Sequence, residues 1–115
     1  MKILRKRIKK SELVENFMTH FQKVIKAVVD VERRIIALDA ELHSELEACL
    51  IDDGSKQENL WGINLYPFKD KENFIEYVAL INIRPSQNNY SMEIENEEIK
   101  RKIEKIVFEL IEYET

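Results

Sequence analysis

The run KAVVDV, Lys26–Val31, is separated from IIALDAEL, Ile35–Leu42, by three charged residues, Glu32, Arg33 and Arg34. Both runs are rich in β-branched side chains, which suit a pleated, half-buried surface. Together they read as a β-hairpin. Any fold open to this chain must place that hairpin in a sheet and cover it.

The remaining punctuation is sparse, with two glycines and two prolines in 115 residues. Turns have to be read from Asn, Asp and Ser clusters instead. Residues 2–8 read as a short basic strand. Ser11 is a good helix N-cap, and Leu13, Phe17, Phe21 and Val24 then recur at helical spacing. Residues 41–51, ELHSELEACLI, fit two patterns. Extended, Leu42, Leu46, Ala48 and Leu50 alternate with Glu41, His43, Glu45 and Glu47. Helical, Leu42, Leu46, Cys49 and Leu50 share one face. Ser44 with Glu47 has capping-box spacing, and Gly54 suits a C-terminal cap. The reading favoured is a strand to about His43, then a helix from Glu45 to Asp52.

NLWGINLYP reads as a strand stopped by Pro67, and FIEYVALINI as its hairpin partner across the turn FKDKEN. That pairing sets Leu65 near Tyr77 and Trp61 near Ile81. Asn96 caps a last helix with Glu97 and Glu98 at its positive end, and Ile99, Ile103, Ile106 and Leu110 form its buried stripe. The expected order is β-α-β-β-(α)-β-β-α. This is an α+β fold: a mostly antiparallel sheet of about five strands with two to three helices packed on it, in a single domain over residues 1–115.

The one cysteine, Cys49, excludes an intrachain disulfide and a Cys-rich zinc site. A cytoplasmic location is expected. No run of about 18 apolar residues exists to span a membrane, and MKILRKRIKK lacks the apolar core of a signal peptide. Net charge is −4, distributed as +6 over residues 1–10, −6 over 11–92 and −4 over 93–115. A protein gripping many phosphates carries a basic face, whereas this chain has a basic edge, so nucleic acid is not the expected partner. The basic strand could instead be an edge shielded by lysine.

Two groups of residues could carry chemistry. The stretch INIRPSQNN, Ile81–Asn89, ends an apolar strand in an arginine and a row of amides. Arg84 offers a rigid fork of donors suited to a carboxylate or phosphate. Asn64 and Asn82 share its face of the predicted hairpin, and Gln87 and Asn89 line the same mouth. Either these residues form an anion-recognising pocket, or Arg84 pairs with an internal acid and the amides close a turn. Glu41, His43 and Glu45, with Asp30 and Asp39 nearby in sequence, form a second candidate set, for a metal or for general-base work. Their spacing matches no recognised metal signature. Outside both groups, His20 reads as a helix-flank residue, and Cys49 as a small buried thiol with no nucleophilic role.

KAVVDVERR, ELHSE, DGSKQENLWGINLYP and INIRPSQNN together resemble a small prokaryotic family classed as a domain of unknown function. The likeness runs from Met1 to Glu112. It implies a compact single domain in the cytoplasm and no particular reaction. The family pattern is richer in glycine at two places. Asp39 and Ala40 stand where a glycine pair is expected, and Asn88 stands for a glycine in the INIRPSQ loop. Asn tolerates the left-handed conformation, so that loop can keep its shape, whereas the Asp39–Ala40 replacement questions a tight turn.

The function expected from these features is a small binding protein. Its site would be polar and would contain Arg84, and its ligand would be a small anion or an acidic segment of a protein. No cofactor is expected. A metal-assisted hydrolase built on Glu41, His43 and Asp30 is the alternative, and an RNA-directed toxin-like protein stands behind it. A homodimer through a strand edge or helix face stays open.

Overall fold

A computed structural model describes residues 1–114, and the final residue, Thr115, lies outside the described residues. The chain runs β1 (Lys2–Leu4), β2 (Ile8–Lys9), α1 (Lys10–Asn16), β3 (Ile25–Asp30), β4 (Ile35–Leu38), α2 (His43–Asp52), β5 (Leu60–Leu65), β6 (Ile75–Glu76), α3 (Glu97–Leu110) and β7 (Ile111–Glu112). Five strands form one antiparallel sheet in the order β1-β4-β3-β5-β6. β2 and β7 form a separate parallel pair. The fold is α+β, with three helices on the sheet.

The predicted β3–β4 hairpin is its centre. Side chains on a strand alternate between faces, so the two apolar runs supply two cores. On one face Ala27, Val29, Ile36, Leu38, Trp61, Ile63 and Leu65 meet Leu13, Phe17 and the α3 stripe. On the other, Val28, Ile35, Ala37 and Leu60 meet Leu46 and Leu50 of α2. The stripe read from α3 is the one it buries, with Ile103, Ile106 and Leu110 inside. Its cap is Asn96, whose Oδ1 accepts the N–H of Glu98 at 2.9 Å and of Ile99 at 3.1 Å. At its other end Arg7 donates to the carbonyls of Phe108 and Glu109, at 2.8 and 2.9 Å. Helix-end carbonyls have no intrahelical partner, and a cation there also suits the dipole. No described helix is long and apolar enough to cross a membrane.

Three local expectations are corrected. First, α1 is capped at Lys9 rather than Ser11 and stops at Asn16, well short of Val24. A continuing helix would bond the Thr19 N–H to the carbonyl of Glu15. Here that N–H goes instead to the Asp39 carboxylate, at 3.1 Å. Second, β4 stops at Leu38, and α2 starts at His43, two residues earlier than expected. Asp39 takes a positive φ of 70° without a glycine. The Glu45 carboxylate accepts the Leu42 N–H at 3.0 Å, which closes the first turn of the helix. Gly54, at φ +107°, ends α2 as expected.

Third, FIEYVALINI is a strand only at Ile75–Glu76, and Leu65 faces Ile75 rather than Tyr77. Beyond Glu76 the chain leaves β5 and bonds to the segment that follows it. The Ala79 N–H reaches the Met92 carbonyl, and the Ile94 N–H reaches the Tyr77 carbonyl, each at 3.0 Å. The departing chain crosses the sheet over Gly62. A Cβ added at Gly62 would lie 2.5 Å from that of Ala79 and 3.3 Å from the His43 ring. The absent side chain therefore sets how closely residues 79–82 and α2 approach the sheet. Gly62→Ala should destabilise the protein by about 1–3 kcal/mol, the usual cost of overpacking. The urea midpoint measures the loss, and an unchanged midpoint would show that the crossing is loose.

Candidate functional site

INIRPSQNN folds into an irregular loop whose side chains replace the missing ladder. The Asn82 amide pairs with Gly62 at both ends, accepting its N–H at 2.8 Å and donating to its carbonyl at 2.9 Å. Asn89 Nδ2 lies within 2.7–3.0 Å of the carbonyls of Asn82, Ser91 and Glu93, and Oδ1 accepts the Glu95 N–H at 2.8 Å. Both amides are buried. Pro85–Gln87 makes one 3-10 turn, which Asn88 closes at φ 59° in the expected left-handed conformation.

Arg84 points inward with its side chain 10% exposed. Nε donates to Ile81 O at 3.0 Å, and Nη1 to Gln57 O and Gln87 Oε1 at 3.1 Å each. Nη2 donates to Leu60 O and lies 3.6 Å from the Glu47 carboxylate. The guanidinium also stacks 4.7 Å from the Trp61 ring. Burial draws its pKa down, opposed by Glu47. Gln87 donates in turn to Glu58 O at 2.9 Å. Arg84, Asn82, Gln87 and Asn89 are thus brought together, and their partners are groups of the chain itself.

Asn64 is set apart from them. It lines a cleft of about 350 Å³ together with Lys26, His43 and the apolar residues Leu42, Leu80 and Met92. Lys26 and Asn64 are register partners on β3 and β5, on the face that α2 only half covers. Asn64 Nδ2 is held by Glu76 Oε1 at 2.8 Å and Val78 O at 3.1 Å. His43 enters from the first turn of α2. Its Nε2 lies 2.8 Å from the Ile63 carbonyl, which can only accept, so Nε2 carries the hydrogen. Burial lowers the His43 pKa and the Lys26 charge lowers it further, against the Ile63 bond. The imidazole is therefore neutral at pH 7. Leu42, Leu80 and Met92 are 52%, 70% and 41% exposed, an unusual gathering of open apolar surface at one hollow.

The proposed metal set is dispersed. Asp30 is buried at the β3–β4 turn, where Oδ1 accepts the N–H groups of Glu32 and Arg33 at 2.9 Å. Glu41 is exposed, and His43 belongs to the cleft. Among the described residues no three metal-ligating side chains gather.

Lys26 and the partner of His20 were missed in the sequence. Lys26 had a signal, because a lysine facing inward on the central strand of a sheet needs a reason. His20 had none, since its partner Asp39 arrives through tertiary contact. His20 Nδ1 donates to Asp39 Oδ1 at 3.0 Å, and the Thr19 hydroxyl to Oδ2 at 2.7 Å. Burial pushes the Asp39 carboxyl up, but these bonds outweigh it and hold the group below its ordinary value.

A family model described as a protein of unknown function, DUF5674, matches residues 2–110, and the chain belongs to that family. No curated protein and no solved structure matches it.

Removing Arg84 leaves several carbonyls and Glu47 unpaired in a buried site. Arg84→Ala should cost about 3–5 kcal/mol, and Arg84→Lys should recover only part, because an ammonium cannot span the same carbonyls. Denaturation in guanidinium chloride decides, and a loss below about 1 kcal/mol would return Arg84 to the list of available anion binders. Asp39 gives a pH test. A carboxyl with a depressed folded pKa contributes stability above its unfolded value, near 3.8, and loses it as pH falls through the lower folded value. Asp39→Asn keeps a residue tolerant of φ 70°. The variant should be less stable at pH 7, with the gap closing below pH 3.8. A gap independent of pH would contradict the carboxylate's role.

Proposed function

We propose that this protein binds a small acidic ligand with an apolar body in the cleft formed by Lys26, His43 and Asn64. The observation that carries this reading is the placing of a lysine and a half-buried histidine together inside a hollow with open apolar walls. Ligand sites are commonly apolar concavities with a few polar groups and a perturbed titratable residue. At about 350 Å³ the cleft is at the small end of such sites, which run from ~300 to 1,000 Å³. Lys26 supplies the counter-charge, and the positive end of α2 adds to it. Leu42, Leu80 and Met92 would cover the apolar part of the ligand.

The reading keeps the anion expected of Arg84 and moves it to a different cation. Arg84 is occupied by carbonyls, whereas Lys26 makes no ion pair among the described residues and its ammonium lies 5.2 Å from the Phe21 ring. A cytoplasmic setting is part of the proposal and is supported by the free thiol of Cys49.

Octanoate, benzoate and indole acetate, titrated into labelled protein and followed by NMR, provide the test. At least one should shift the signals of His43, Asn64 and Leu80 saturably. A bound carboxylate favours protonated imidazole, so the His43 pKa should rise toward its ordinary 6.5 in the complex. Lys26→Gln should weaken binding about tenfold, roughly the 1.4 kcal/mol of one partly buried charge contact. Absence of saturable shifts up to millimolar concentrations of all three acids would sink the proposal.

A further inference from the structure

The basic N-terminus has no part in that cleft, and the structure divides its charges into two sets. Arg5 binds Asp53 at 2.7 Å, and Arg7 caps α3. Lys2 and Lys6 make no ion pair among the described residues, and both are exposed. They flank a second cleft, of about 540 Å³, between the backbone of β1 and the helix α1. Ile3, Leu4 and Phe17 give it apolar lining, Glu12 of α1 is its one acidic residue, and Lys2 lies 5.7 Å from the Phe17 ring.

β1 is the outermost strand of the sheet, and β4 is its one strand partner. No other backbone or side-chain group among the described residues bonds to the main chain of Lys2–Lys6. Half of the N–H and C=O groups of an edge strand face away from the sheet and are free to pair with an incoming chain. A groove with such an edge on one side and a helix on the other is the geometry of peptide recognition by strand addition.

We propose that the groove between β1 and α1 takes an extended acidic segment of a partner protein as a sixth strand, with its carboxylates against Lys2 and Lys6. The strand edge calls for a polypeptide main chain, because only that presents N–H and C=O groups in matching register. The lysines choose its charge. They also act against a second copy of β1 in the groove, since strand-to-strand pairing would oppose lysine to lysine. An RNA strand could answer the lysines but not the open backbone, and the chain as a whole carries net charge −4.

A library of random heptapeptides displayed on phage and selected on the whole protein gives the test. Selected peptides should alternate Asp or Glu with β-branched residues. As synthetic peptides they should shift the amide signals of Ile3–Lys6 and slow their hydrogen exchange. Lys2→Glu with Lys6→Glu should lower affinity at least tenfold, with a thermal unfolding curve like that of the wild type, because both side chains are exposed. Lys26→Gln should leave peptide binding unchanged, which separates this groove from the His43 cleft. Four results would each overturn the proposal: no enrichment, enriched peptides without acidic bias, shifts that map to Leu80 and His43, or an oligoribonucleotide of equal charge that displaces the peptides from β1.

Discussion

Buried backbone groups must be hydrogen-bonded, and the segment Ala79–Glu95 has only two 3-10 turns and isolated bridges to do it. Everything on the α2 face rests on how this requirement is met. Asn82 presents an amide to Gly62 as a neighbouring strand would. Asn89 gathers carbonyls from both sides of its own loop, and Arg84 bridges that loop to Gln57 and Leu60. An amide side chain has both a donor and an acceptor, so it can copy a peptide group. Three side chains thereby hold an irregular segment at the depth of a sheet.

This arrangement explains why a cleft exists at all. Had residues 77–84 extended the sheet beside β5, their side chains would have alternated between its faces. Instead the chain lies across the sheet, over Gly62, and leaves Asn64 and Lys26 uncovered beyond it. α2 runs from His43 at this hollow to Leu50 in the second core. The hollow is bounded by two elements that meet at one glycine, so its shape depends on a contact between Gly62, Ala79 and His43.

Much of the fold was legible because it depends on local pattern. The β3–β4 hairpin followed from two β-branched runs and a charged break. α3 followed from its apolar stripe and from Asn96, and Asn88 from its tolerance of positive φ. The failures share a cause. FIEYVALINI alternates as a strand should, but alternation does not name the partner, and here residues 77–79 pair with residues 92–94 instead of β5. Leu13, Phe17 and Phe21 have helical spacing, but the Asp39 carboxylate, brought close by the hairpin, takes the N–H that the helix needs. Asn64 was read as bonding the backbone or facing a cavity, and it does both, reaching the Val78 carbonyl at the wall of the cleft. Arg84 and Asn82 were picked out by the same logic, and the structure gives them internal partners.

Arg5, Arg7, Arg33 and Arg84 all end on groups of this chain: Asp53, helix-end carbonyls, Ser55 or loop carbonyls. The planar fork of arginine reaches several fixed acceptors at once, which suits it to tying irregular backbone together. Lysine holds one point of charge on a flexible stem and rarely satisfies such a set. In this chain Lys2 and Lys6 border the β1 groove, and Lys26 stands in the His43 cleft. These four arginines hold the structure together, which leaves Lys2, Lys6 and Lys26 as the cations placed to hold something else.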